Sequence, residues 1–138
     1  MKQPREKRTP GAPQKWLAHA ESDLNLARLA RGRAEVLPEQ VCFHAQQAAE
    51  KALKAVLLFK RIEFPLVHDI EALVELLKNS GAVFPPEVNE ASSLTPYAVE
   101  VRYPGHLEEI TSPDAGEAIR LAEAVLRWAV EIVGPRSL

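Results

Sequence analysis

Residues 38–60 read PEQVCFHAQQAAEKALKAVLLFK and have the pattern of one long amphipathic helix. Pro38 suits the first helical position, because the N–H group that a proline lacks has no intrahelical partner there. Small apolar side chains recur along one side at spacings of three and four, at Val41, Ala45, Ala48, Ala52 and Val56. This spacing is typical of a helix with one buried side. Because an alanine leaves only a methyl group between two backbones, a neighbouring helix can pack closely against it.

The other side of the same helix is polar. Its side chains are Gln40, His44, Gln47, Lys51 and Lys54, which fall within an arc of about 80° when each residue turns the helix by about 100°. One interpretation of this polar stripe is an outer face in contact with solvent. The other is a surface for an anion or a protein partner, on which the lysines supply point charges and the glutamines supply hydrogen-bond donors.

Helical spacing continues on both sides of this segment. It covers residues 13–31, 70–80, 86–103 and 113–133. Asp69 and Ser112 are the candidate N-terminal caps of the second and fourth of these stretches. Pro96 interrupts the third, where it either kinks the helix or starts a new one with Thr95 as its cap. No alternating strand pattern appears. The sequence therefore predicts an all-α fold, an antiparallel up-and-down bundle of four to five helices.

One domain is expected for a chain of 138 residues, of which 46% are hydrophobic. Residues 1–12 have the composition of a flexible basic arm, with four basic residues and one acidic residue, and residues 13–138 form the single helical domain. Without the arm, 13 of the 17 Lys and Arg remain against 18 of the 19 Asp and Glu, a net charge of −5. An acidic body argues against broad binding to a phosphate backbone. Any nucleotide or nucleic-acid site must therefore be a local basic patch.

Neither a membrane span nor a secretory signal is expected. The longest uninterrupted apolar run, residues 55–59, is far shorter than the roughly 18 residues needed to cross a bilayer. The basic arm lacks the hydrophobic segment of a signal peptide. The single cysteine, Cys42, cannot form an internal disulfide, which agrees with a reducing compartment. We therefore expect a soluble cytoplasmic protein.

Residues 102–106, RYPGH, carry the side-chain types of a phosphate or nucleotide site. Arg102 can hold a phosphate with its planar guanidinium group, Tyr103 can stack on a base, and His106 can exchange protons near neutral pH. The alternative is structural, with Arg102 paired to a carboxylate while the residues after it turn the chain.

His68 and Asp69 precede a helical stretch, and this pair also has two interpretations. In one, Asp69 caps the helix and His68 packs over the turn. In the other, His68 faces a cleft and contacts a ligand. No metal or other cofactor is expected, because His44, His68 and His106 lack the paired spacing of zinc ligands and Cys42 is alone.

Several of these patterns occur together in one known family. They are Trp16, Asp23-Leu24 and Ala27, the run CFHAQQAAEKALKA at residues 42–55, His68-Asp69-Ile70 with Leu73, Tyr97, and Val101-Arg102-Tyr103-Pro104. Their order resembles the HEPN family of helical domains over about residues 14–133. The resemblance implies a bundle of four or five helices that commonly dimerises. It also implies a frequent partnership with a minimal nucleotidyltransferase, in which some pairs act as toxin and antitoxin.

The same resemblance implies ribonuclease chemistry for many relatives. These are metal-independent enzymes in which an Arg and a His are separated by four to six residues, and two copies of the pair meet across the dimer. Here only three residues separate Arg102 from His106, and Tyr103 replaces the usual polar residue after the Arg. The resemblance therefore favours a nucleotide- or RNA-binding module that acts with a nucleotidyltransferase. It also suggests Tyr103 as a target for nucleotide transfer by such a partner.

Three hypotheses follow for the function. In the binding module, the nucleotide or RNA contacts are His44, Gln47, Lys51, Lys54, His68, Arg102 and Tyr103. In a ribonuclease, Arg102 and His106 are the catalytic residues. A purely structural subunit would bind no nucleotide at all. A homodimer is expected from the resemblance and from the narrow alanine side of the helix, since an isologous pair is the commonest soluble homo-oligomer.

Overall fold

The fold is helical throughout the part of the chain that the structure, a computed structural model, describes: residues 11–98 and 109–134. Its elements are α1 (Pro13–Ala30), α2 (Pro38–Phe59), α3 (Ile70–Asn79), α4 (Pro86–Glu90), a 3-10 segment (Ala91–Ala98) and α5 (Ser112–Val133). The all-α prediction is confirmed. None of these helices is long and apolar enough to cross a membrane. The predicted basic arm lies, apart from its last two residues, outside the described ranges.

α2 lies at the centre of the bundle, where it packs against both α1 and α5. The small side chains of α2 are fully buried within the single chain, namely those of Ala45, Ala48, Ala49, Ala52 and Ala55. Their lack of bulk permits the close packing that the sequence predicted. The same burial corrects one argument for a homodimer. Because α2 is covered by helices of its own chain, its alanine side cannot be the surface on which a second copy docks.

Two helix starts are fixed by side chains. Asp69 caps α3 as predicted, since its Oδ1 accepts a hydrogen bond from the backbone N–H of Ala72 at 3.3 Å. The prediction for α5 is wrong by one residue, because its cap is Thr111 and not Ser112. Thr111 Oγ1 accepts from the N–H of Asp114 at 3.3 Å, and Asp114 Oδ2 accepts from the N–H of Thr111 at 2.9 Å. This reciprocal pair satisfies two backbone donors, one of which would stay open at a cap without the returning carboxylate.

Neither alternative predicted at Pro96 is correct. α4 ends at Glu90, and the chain continues through Pro96 as 3-10 turns. An α-helix through Pro96 would lack one backbone N–H donor and would crowd the proline ring against the preceding turn. The tighter 3-10 helix, in contrast, is common as a short segment. Thr95 is not a cap of its own helix. Its Oγ1 accepts from the N–H of Ile70 at 3.2 Å and so attaches the 3-10 segment to the start of α3.

Candidate functional site

A buried carboxylate organises the polar side of α2. Glu50 is 3% exposed, and its Oε1 accepts a hydrogen bond from Gln46 Nε2 at 2.8 Å while its Oε2 accepts from Lys54 Nζ at 2.7 Å. His68, in the connection between α2 and α3, places Nδ1 at 3.1 Å from each oxygen. An ionised carboxylate can only accept hydrogen bonds, so Nδ1 carries the proton of this contact. Three donors offset the large cost of burying the charge.

Lys54 is enclosed between two aromatic rings. Its Nζ lies 5.8 Å from the ring centroid of Trp16 on α1 and 5.8 Å from that of Phe64 in the connection after α2. Both distances are within the range of cation–π attraction. The side chain is only 7% exposed. The interpretation of the polar stripe as a solvated face is therefore wrong at Lys54, because α1 and the connection after α2 cover this end of α2.

A second carboxylate joins α1 to the more exposed part of the polar stripe. Asp23 on α1 accepts from Lys51 Nζ at 2.6 Å through Oδ2, and its Oδ1 lies 3.3 Å from His44 Nδ1. Lys51 and His44 are seven residues apart, so they stand two turns apart on the same side of α2. Both side chains are about a quarter to a third exposed, at 26% and 29%. This ion pair therefore borders on solvent, in contrast to the one at Glu50.

Beside this ion pair, α1 and α2 form an open cleft. Its volume is about 260 Å³, and its walls are Lys15, Trp16 and His19 of α1 together with Lys51 of α2. Lys15 and His19 are four residues apart and so lie on one side of their helix. Among the described residues neither side chain has an acidic partner. The cleft thus combines an aromatic ring with cationic side chains, a combination that can bind a base by stacking and a phosphate by charge.

A family model described as the HEPN domain matches residues 13–133. The chain belongs to the HEPN family. At the level of the family, it is a module related to nucleotides or RNA.

Two solved structures resemble this HEPN domain over most of its length. A crystal structure of an archaeal HEPN homologue is 32% identical, has a TM-score of 0.71, and is matched over 89% of this chain and 98% of that one. A crystal structure of a Thermus thermophilus protein is 31% identical, has a TM-score of 0.73, and is matched over 86% of this chain and 96% of that one. No curated protein matches the sequence. These matches show the family and the fold.

The HEPN fold separates the predicted contact residues into two groups. His44 and Lys51 share the carboxylate of Asp23, whereas Lys54 and His68 share that of Glu50. The remaining described candidate is Gln47, whose Nε2 donates to Gln46 Oε1 at 2.7 Å and so belongs to the Glu50 group. The candidates outside the described residues are Arg102, Tyr103 and His106. They stay predictions.

The sequence analysis missed most of the cleft. Trp16 was named only as a residue of the family pattern, yet it is partly buried and lines the cavity. Lys15 and His19 had no assigned role. Their spacing of four residues around an aromatic residue was the available signal, but only the contact between α1 and α2 brings Lys51 to the same cavity. Glu50 and Asp23 were likewise recognised as family residues and not as the acceptors that hold the predicted donors.

No cluster in the described HEPN domain has the composition of a metal site. Within residues 11–98 and 109–134, no three side chains of His, Cys, Asp or Glu lie close enough together to hold a metal ion. The two carboxylates that contact histidines, Glu50 and Asp23, are each engaged with a lysine ammonium group as well.

The buried Cys42 of α2 and the partly buried Tyr97 of the 3-10 segment form a neutral pair. Burial raises the pKa of the Cys42 thiol to about 11, and a hydrogen bond from Tyr97 only partly opposes this shift. Burial also raises the pKa of Tyr97 to about 12. Both groups therefore stay protonated at physiological pH, and Cys42 has the environment of a structural cysteine.

We expect the native protein to resist labelling at Cys42. At pH 8 the raised pKa lowers the thiolate fraction by about 100-fold relative to the unfolded chain, and burial slows access further. The measurement is the rate of reaction with Ellman's reagent in buffer and in concentrated urea. The folded-state rate should increase as the pH approaches 11, since the thiolate then forms. Equal rates in the two solvents at pH 8 would contradict this assignment.

Proposed function

We propose that this HEPN domain binds a nucleotide or RNA at the cleft between α1 and α2. The observation that supports this proposal is the combination of Trp16 with Lys15, His19 and Lys51 around one cavity of about 260 Å³. The body of the protein is acidic, with a net charge of −5 outside residues 1–12. A local concentration of cations beside an aromatic ring is therefore the feature that distinguishes this surface as an anion site.

The predicted contact residues have different roles in this proposal. Lys51 borders the cleft and contacts the ligand, while Asp23 holds its ammonium group in place at 2.6 Å. Lys54 and His68 act as supporting residues, because the Lys54 ammonium is buried and both are engaged with Glu50. Support of this kind keeps the ligand-binding side chains in a single geometry.

The wider proposal includes partners. We retain a homodimer and a minimal nucleotidyltransferase partner, in some contexts as a toxin–antitoxin pair, on the strength of the family resemblance. We also retain a cytoplasmic location, in keeping with the free thiol of Cys42. Light scattering at tens of micromolar protein tests the dimer, and a monomer there would refute it. Copurification of the two chains tests the nucleotidyltransferase.

Lys51→Ala and Lys15→Ala are expected to weaken binding of both ATP and a short single-stranded RNA by about tenfold each, because each removes one charged contact to phosphate. Each should also reduce the slope of log affinity against log salt by about 1. The measurement is fluorescence anisotropy in a metal-free buffer at several salt concentrations. The matched control is Lys78→Ala, since Lys78 lies on α3, which makes no contact with α1 among the described residues.

The outcomes of this experiment separate the three hypotheses. Wild-type protein that binds neither ATP nor RNA would refute the binding module and leave the structural subunit. An equal loss in Lys78→Ala would show that binding does not depend on the cleft. Cleavage of the RNA in the same samples, abolished by Arg102→Ala and by His106→Ala, would establish the ribonuclease in place of the binding module.

A further inference from the structure

We propose that the ligand of the cleft is an unpaired nucleotide, whose base stacks on Trp16 and whose phosphate lies between Lys15 and Lys51. This inference rests on the proposed function and specifies the ligand class and the residues that recognise it. A free mononucleotide and one nucleotide of a single strand present the same chemistry. A base pair within a duplex does not, because its faces are covered by the neighbouring pairs.

Trp16 has the support that a stacking platform needs. It is partly buried against the core, and the buried Lys54 ammonium lies 5.8 Å from its ring centroid. Lys54 is itself fixed by Glu50 at 2.7 Å. The ring thus reaches the cleft from a position that a chain of buried contacts defines. A preorganised aromatic surface binds a base without the cost of ordering a side chain.

The charges around the cleft suit one phosphate group. Lys15 and Lys51 approach from different helices, and Asp23 accepts from Lys51 at 2.6 Å. Two ammonium groups and one carboxylate leave a single positive charge. A surface that follows a duplex needs many basic contacts, and the acidic body does not provide them. The charge is therefore matched to a single nucleotide.

The size of the cleft is also compatible with an unpaired nucleotide. Pockets that enclose a whole small ligand measure roughly 300–1,000 Å³, and the cavity here is about 260 Å³. A cleft of this size can accommodate one aromatic base. The sugar and the rest of a strand would remain outside, where Lys15 and Lys51 border on solvent.

The test compares probes that differ in one feature, with tryptophan emission as the readout. The probes are hexaadenylate, AMP, a ribose-phosphate hexamer without bases, and a 12-base-pair RNA duplex. The protein has two tryptophans, and Trp128 is buried with its Nε1 bonded to the Val83 carbonyl at 3.1 Å. Subtraction of the Trp16→Phe signal isolates the response of Trp16.

We expect hexaadenylate to quench Trp16 and to bind at least tenfold more tightly than the abasic hexamer or the duplex. Trp16→Ala should weaken hexaadenylate binding by roughly five- to 100-fold, Trp16→Phe should weaken it less, and neither should alter binding of the abasic hexamer. The wild-type comparison of the two hexamers does not depend on the folding of any variant. AMP that binds as tightly as hexaadenylate would support the proposal and identify the free nucleotide as the source.

The experiment distinguishes failure of the stacking proposal from failure of the proposed function. If the abasic hexamer binds as tightly as hexaadenylate, or if Trp16 is not quenched while Lys15→Ala still weakens binding, stacking is refuted and the proposed function stands. If the duplex binds most tightly, the ligand class is refuted in the same way. If none of the four probes binds to the wild-type protein, both proposals are refuted.

Discussion

Glu50→Ala is expected to lower the free energy of unfolding by about 3–5 kcal/mol, because it leaves the Lys54 ammonium buried without its carboxylate. Lys54 is 7% exposed and has Glu50 as its ion-pair partner at 2.7 Å among the described residues. Gln46 and His68 would also lose their common acceptor. The measurement is urea unfolding followed by circular dichroism, with the free energy extrapolated to water.

The control for this prediction is an ion pair of similar spacing on the surface. Glu75 and Lys78 on α3 lie 3.6 Å apart and are 57% and 44% exposed, so Glu75→Ala should change the stability by no more than about 0.5 kcal/mol. The double variant Glu50→Leu with Lys54→Met should recover much of the lost stability, since it leaves no buried charge. A loss below 1 kcal/mol in Glu50→Ala would mean that the charges are not buried in solution.

Leu53→Ala is expected to cost about 2–5 kcal/mol. Leu53 is fully buried in the central helix, and both α1 and α5 pack against that helix. Because α2 is packed on both sides, we expect the surrounding structure to relax only partly around the cavity. The measurement is again urea unfolding, with the slope of the transition checked so that a change in the unfolded state is not mistaken for a loss of packing.

Leu29→Ala provides the matched comparison, because the same atoms are removed from a side chain that is 69% exposed on α1. A change within about 0.5 kcal/mol is expected there. Similar losses at both positions would indicate that α1 has a second packed side, as it would in a stable dimer. A small loss at Leu53 would instead contradict the central position of α2.

Much of the fold follows from local rules. Pro38 starts α2, Asp69 caps α3, and the alanine spacing of α2 identifies its buried side, since each of these depends on neighbours along the chain. Pro96 could not be assigned in this way. Its missing donor is compatible with a kink, a new helix or 3-10 turns. The 3-10 segment that forms is joined to the distant start of α3 by the hydrogen bond between Thr95 and Ile70, a contact that local spacing does not show.

The site was less predictable than the fold, for a physical reason. Helical spacing shows which residues share a side of α2, but not whether another element covers that side. Lys51 and Lys54 are three residues apart on one predicted stripe, yet one borders an open cleft and the other is enclosed by Trp16 and Phe64. The sequence identified the cations. It could not identify Glu50 and Asp23 as the carboxylates that determine what each cation is free to bind.

The two carboxylate clusters also determine how α1 is aligned along α2. A displacement of α1 along α2 by one full turn would be about 5.4 Å. The same movement would separate Asp23 from Lys51, now 2.6 Å apart, and Trp16 from Lys54, now 5.8 Å from its ring. The present longitudinal position therefore keeps both the ion pair and the cation–π contact. The contacts of Asp23 and of Trp16 favour that position, in which the cleft between α1 and α2 is formed.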